Sequence, residues 1–183
     1  MLTRTLQPRP PQLSLNGRRA VRDPSLPRGV VLRRSLIGDP RQNYLLYLPR
    51  SCSAETARPL VTVHGISRNA AEQMHGFMAD AEHHGRLLIA PIFDQHHFRD
   101  YQRLGRAGRG PRADLALQRI LREVSRLTGT DCSRPDLFGY SGGAQFVHRY
   151  TFAHPQRVRR AVLGAPGWYS LPDRQDACPH ARL

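Results

Sequence analysis

The sequence predicts an α/β fold: a mostly parallel sheet with helices on both faces and an N-terminal antiparallel hairpin. Three observations carry this. From residue 30 onward, short apolar runs alternate with stretches of helical period. The central runs are apolar throughout rather than at every second position. The first two runs are joined through Gly38-Asp39-Pro40, a turn sequence. Strands buried on both faces read as continuous apolar segments, and alternation with helices makes such strands parallel.

Taken in order, residues 30–36 and 44–48 are strand-like and form the hairpin. Residues 59–64 make a continuous apolar strand that ends at Gly65. A single helix is predicted over 69–84, with Ala70, Met74, Phe77, Met78 and Ala81 recurring every three or four residues. Residues 87–93 are the next buried strand. The strongest helix signal is 112–128, where Leu117, Ile120, Leu121, Val124 and Leu127 form one stripe and Gly129 stops it. A short strand over 136–140, a helix over 142–153 closed by Pro155, and a last strand over 158–163 complete the pattern. The division is therefore an Arg/Pro-rich disordered arm (1–29), one folded domain (30–172) and an irregular tail (173–183).

Composition narrows the function. A chain of 183 residues suits one domain. The net charge of +14 suggests nucleic acid, but all 28 basic residues are Arg, and ten of them stand against only Asp23 and Asp39 in residues 1–50. That first stretch supplies +8 and the remaining 133 residues only +6, so no specific nucleic-acid surface is expected; net charge speaks to non-specific attraction, not fold or chemistry. Cys52, Cys132 and Cys178 lack the spacing of a disulfide framework or a zinc site. No window approaches the roughly 18 consecutive apolar residues of a membrane span. Arg18-Arg19 is not followed by the apolar segment of an export signal. The expectation is a cytoplasmic protein with no membrane partner.

The chemistry is expected at Gly139-Tyr140-Ser141-Gly142-Gly143, which fits G-x-S-x-G between a predicted strand and a predicted helix. The strand-to-helix turn there is so sharp that side chains two residues either side of the serine would collide, so glycines are required. Ser141 Oγ would stand clear at a helix N-terminus, where backbone N–H groups and the helix dipole favour an oxyanion. Val63-His64-Gly65-Ile66-Ser67 follows an earlier buried strand and can aim a second N–H at the same point.

On these residues the chain resembles the α/β-hydrolase superfamily over roughly 30–172. The run Val61-Thr62-Val63-His64-Gly65-Ile66-Ser67-Arg68-Asn69-Ala70 is similar to the first oxyanion loop of the polyhydroxybutyrate-depolymerase and feruloyl-esterase-like branch. The resemblance implies hydrolysis of a small-molecule carboxylic ester through a serine acyl-enzyme. Ser141 would be the nucleophile, the N–H groups of Gly142 and Ile66 the oxyanion hole, and no metal or organic cofactor would be needed. In the superfamily the acid and the His follow the serine in that order; the sequence stops soon after the last predicted strand, before both usual positions, so the usual acid and His are expected to be missing from this chain. Asp176 and His180 in the tail are the substitutes for acid and base. The alternative is a non-catalytic protein of this fold, or one that binds through its basic arm, with a reading frame cut or shifted near Asp173.

Other constellations are expected to be bland. Asp94, His96 and His97 follow a strand, and His83-His84 are adjacent; both sets are read as pocket or surface residues rather than metal ligands. The stretch 105–110 is read as an arginine-bearing loop over the active-site edge, not a phosphate loop. His148 is read as packing, and His64 as part of the oxyanion loop.

Overall fold

The computed structural model describes residues 23–51, 53, 56–105 and 110–169. Residues 1–22 of the arm, the tail with Asp176 and His180, Cys52, Cys178 and residues 106–109 lie outside the described residues. The elements are β1 (Val31–Leu36), β2 (Asp39–Tyr47), β3 (Leu60–Val63), α1 (Ala70–His75), α2 (Met78–His84), β4 (Leu88–Ile92), α3 (Ala113–Thr128), β5 (Asp136–Tyr140), α4 (Gly142–Ala153) and β6 (Arg160–Gly164). Single 3-10 turns lie at Tyr101–Arg103 and Pro155–Arg157.

The six strands form one sheet in the order β1-β2-β4-β3-β5-β6. β2 pairs antiparallel with both β1 and β4, while β4, β3, β5 and β6 run parallel. The mixed sheet and its leading hairpin are as the sequence predicts. Continuous apolar runs arise because successive side chains enter opposite layers. Val61, Val63, Ile89, Tyr44 and Leu46 join the core under α3 and α4. Leu60, Leu88, Ala90, Leu45 and Tyr47 join the layer under α1 and α2.

The predicted helix 69–84 is two helices. The Phe77 N–H bonds back to the Met74 carbonyl at 3.0 Å, a tightened turn at Gly76-Phe77. The break swings the Phe77 ring onto Phe138 of β5 at 4.8 Å between centroids. α3 matches its predicted stripe: Leu117, Ile120, Leu121 and Val124 are buried, and Gly129 closes it in the left-handed conformation. Buried Glu123 on α3 accepts the Tyr44 hydroxyl (2.7 Å) and the Ile37 N–H (2.8 Å), tying the helix to the hairpin. Among the described residues, no helix is long and apolar enough to cross a membrane.

The topology places a crevice. After β3 the chain leaves for α1 and α2 on one face; after the adjacent β5 it leaves for α4 on the other. Where neighbouring parallel strands send their connections to opposite faces, a cleft opens beyond their C-terminal ends, and open α/β sheets bind ligands there. Gly65-Ile66 and Ser141 both lie at that point.

Candidate active site

β5 ends at Tyr140 and α4 begins at Gly142, leaving Ser141 alone to reverse the chain. Its backbone sits at φ 52°, ψ −116°, a region that a residue with a side chain rarely adopts and that costs about 1–3 kcal/mol. Its N–H is held by the Gly164 carbonyl at the end of β6 (2.8 Å), and its carbonyl accepts the Gln145 N–H (3.1 Å). Arg68 and Ala165, on the loops after β3 and β6, also have positive φ. Strained backbone therefore gathers at one end of the sheet.

The glycines have the reasons the motif predicts. A Cβ on Gly139 would collide with the Gly143 carbonyl, and one on Gly143 would collide with the Val63 and His64 carbonyls. The first turn of α4 thus rests directly on the end of β3. A Cβ on Gly142 would lie 2.8 Å from Ile66 Cγ2, 2.9 Å from the Tyr101 hydroxyl and 3.4 Å from the Ile66 nitrogen. The structure therefore brings Gly142 and Ile66, two residues far apart in sequence, side by side next to Ser141.

The loop carrying Ile66 is fixed from several directions. The Arg68 N–H closes a turn on the Gly65 carbonyl (3.0 Å), and the Gln73 amide donates to the Val63 carbonyl (2.9 Å). The Arg68 guanidinium donates to the Phe93 carbonyl and to Gln95 Oε1 and lies over the Tyr101 ring at 5.2 Å. His64 is fully buried. Its Nε2 accepts the Phe93 N–H (3.0 Å), so its proton is on Nδ1, which donates to the Gly65 carbonyl (2.8 Å). Burial, with a smaller contribution from the Arg68 charge, pushes its pKa down to about 4. Both ring nitrogens are occupied and the ring stays neutral, so His64 positions the loop rather than moving protons.

Sequence reading missed Tyr101. Its hydroxyl donates to the His64 carbonyl (2.8 Å), and its ring packs on Phe93 and His64 at 5.2 and 5.0 Å. It lies in a stretch with no periodic signal; an aromatic residue just after a strand end was the available clue. Gln145 on α4 donates to the Pro166 carbonyl (2.7 Å), fastening the loop after β6 beside Ser141.

Ser141 is half-buried, and its Oγ has no hydrogen-bond partner among the described residues. Exposed apolar side chains surround this end of the sheet: Ile66, Tyr140, Trp168 and Tyr169. His148, further along α4, packs its ring between Phe152 and Tyr169 at 4.7 and 4.9 Å. Asp94 accepts the His96 and His97 N–H groups and His97 Nδ1 (2.9, 2.8 and 3.1 Å), the geometry of a self-bonded turn. Among the described residues, no group of three His, Cys, Asp or Glu side chains could hold a metal ion. A second acid–histidine pair escaped the sequence reading: His154 Nε2 meets buried Asp114 at 2.8 Å, with Arg112 on the same carboxylate. It lies at the far end of α4 from Ser141 and links two helix termini.

No family model matches the chain, and no curated protein matches it by sequence. Solved structures do. Poly(aspartic acid) hydrolase-1 from Sphingomonas sp. KT-1 is 24% identical with a TM-score of 0.68, over 80% of this chain and 60% of that one. LpqC, a poly(3-hydroxybutyrate) depolymerase from Bordetella parapertussis, is 27% identical with a TM-score of 0.66, over 80% of this chain and 55% of that one. An acetyl xylan esterase from Aspergillus awamori is 18% identical with a TM-score of 0.58, over 78% of this chain and 55% of that one. The aligned region thus spans between half and two thirds of each of these proteins.

Two predictions follow from this geometry. Because the folded-state pKa of His64 lies below its unfolded value of 6.5, the unfolded chain binds more protons between pH 6.5 and 4. Stability should be level with respect to this group above pH 6.5 and fall by about 3 kcal/mol as pH drops through that window. Urea unfolding across the window should show His64→Gln losing one proton's worth of slope; an unchanged slope would contradict the neutral, buried ring. Ser141→Gly should be about 1 kcal/mol more stable than Ser141→Ala, since glycine tolerates φ 52°. Equal unfolding midpoints for the two variants would show that the backbone at 141 is not strained.

Proposed function

We propose that this chain, which has the α/β-hydrolase fold, is a serine hydrolase of carboxylic esters, with Ser141 as nucleophile. The observation that carries the reading is the placement of Ser141 at positive φ between β5 and α4, with the Gly142 and Ile66 backbones beside it. It supports the reading of a nucleophile elbow facing an oxyanion hole.

In the proposed reaction Ser141 Oγ attacks the ester carbonyl carbon and gives up its proton to a base. The carbonyl oxygen becomes an oxyanion that accepts hydrogen bonds from the Gly142 and Ile66 N–H groups; such a donor contributes about 3–4 kcal/mol to the transition state. Collapse expels the alcohol, which takes the proton, and leaves an acyl group on Ser141. Water, deprotonated by the same base, then attacks the acyl carbon; collapse breaks the bond to Ser141 Oγ, which takes the proton back from the base, and the carboxylic acid leaves. His180 and Asp176 are the proposed base and acid of this chain. Neither a metal nor an organic cofactor enters the scheme. The exposed Ile66, beside Gly142, and Tyr140, next to the serine in the chain, suit the apolar part of a small ester.

A second reading has its own observation. Ser141 Oγ has no base among the described residues, and a serine without one is a weak nucleophile. On that reading the chain is a non-catalytic protein of the same fold, and the Arg-rich arm supplies its binding.

Intact mass after exposure to a fluorophosphonate separates the two. The proposed function predicts one adduct on the wild type, none on Ser141→Ala, and strongly slowed labelling of His180→Ala. A folded wild type that takes up no adduct would overturn the hydrolase reading in favour of the non-catalytic one.

A further inference from the structure

The hydroxyl of Tyr101 stands where the Gly142 and Ile66 backbones meet. Tyr101 is 1% exposed, on the 3-10 turn in the loop after β4. The Arg103 and Leu104 N–H groups close that turn on the Asp100 and Tyr101 carbonyls (2.9 and 2.8 Å). Besides Phe93 and His64, its ring meets Phe146 of α4 at 6.5 Å between centroids, and the Arg68 guanidinium lies over it. With the ring held on these sides, the position of the hydroxyl is fixed. It donates to the His64 carbonyl at 2.8 Å. The point where a Cβ on Gly142 would sit is 2.9 Å from the same hydroxyl and 3.4 Å from the Ile66 nitrogen. The Tyr101 oxygen therefore fills space between the first turn of α4 and the turn that carries Ile66. Burial pushes its pKa up, so it stays a hydrogen-bond donor and takes no part in proton transfer near neutral pH.

These contacts set a distance. The His64 carbonyl lies one peptide before the Ile66 N–H, so a group that holds that carbonyl also aims the N–H. Gly142 supplies the other N–H. A displacement of about 1 Å in a preorganised site can cost on the order of 100-fold in rate. We propose that Tyr101 is a positioning residue for the hydrolysis, its hydroxyl spacing the Gly142 and Ile66 N–H groups so that both reach one oxyanion. The inference rests on Ser141 being the nucleophile. Tyr101 is too deeply buried to touch substrate and acts only through the two backbones. The oxyanion exists only after Ser141 has attacked, so the spacing matters to the transition state more than to substrate binding. Its loss therefore falls on kcat rather than on KM.

The test is steady-state hydrolysis of p-nitrophenyl acetate by the full chain, by Tyr101→Phe and by Phe98→Leu, with fluorophosphonate labelling alongside. Tyr101→Phe keeps the ring and loses only the hydroxyl. Its kcat should fall roughly 10- to 100-fold with KM within about two-fold of wild type, and its labelling should slow to match. Phe98→Leu trims a buried ring of the same aromatic cluster, packed on Phe93 at 5.3 Å, and donates nothing to the His64 carbonyl. It should lower the unfolding temperature yet keep kcat within about two-fold, because it removes packing and not the spacing. A Tyr101→Phe chain with wild-type kcat, one that loses through KM alone, or one whose loss Phe98→Leu reproduces would overturn the inference and leave the Ser141 reading standing. So would a Tyr101→Phe chain that no longer folds at the assay temperature, since the hydroxyl would then hold the fold rather than the spacing. A folded wild type with neither turnover nor adduct would overturn the Ser141 reading, and the inference with it.

Discussion

The first turn of α4 lies against the end of β3 so closely that the Val63 and His64 carbonyls leave no room for a Cβ on Gly143, and the Gly143 carbonyl leaves none for one on Gly139. Everything at the candidate site depends on that contact. It forces the chain to reverse within one residue, which places Ser141 at positive φ. It also carries the Gly142 backbone up to the Ile66 backbone. The arrangement is stabilised by the layers beneath it, because Phe146, Val147 and Tyr150 of α4 are all buried in the core shared with β3. Local strain is thus held by packing that forms only when the whole sheet is assembled.

A second layer of constraint fixes the opposing loop. The neutral His64 ring bridges the Phe93 N–H and the Gly65 carbonyl, and the Tyr101 hydroxyl donates to the His64 carbonyl. The Arg68 guanidinium lies over the Tyr101 ring and holds the Phe93 carbonyl. Three segments distant in sequence therefore meet around one backbone turn. In the proposed reaction, an Ile66 N–H on a loop held this way would need no reorganisation as negative charge develops, which is what gives such donors their effect.

The sequence announces the fold class because both sheet faces are buried, turning β3 and β4 into unbroken apolar runs. It announces the glycines at 139 and 143 because backbone carbonyls leave no room there for a Cβ. The single helix 69–84 failed at Gly76-Phe77, where the pull of Phe77 toward Phe138 is a tertiary contact that periodicity does not record. Tyr101 and the Asp114–His154 pair were illegible for the same reason: their contacts join separate elements that only the fold brings together. Asp176 and His180 lie outside the described residues, and their assignment rests on chain order and chemistry alone.

The claim at the centre of this account is that Ser141 is poised to form a tetrahedral adduct whose oxygen sits between the Gly142 and Ile66 N–H groups. Boron NMR of an alkyl boronic acid mixed with the protein tests it most directly, because boron changes from trigonal to tetrahedral when a serine oxygen bonds to it. The account predicts a tetrahedral signal with the wild type and none with Ser141→Ala. A signal that stays trigonal with folded wild-type protein, or a tetrahedral signal that persists in Ser141→Ala, would contradict it.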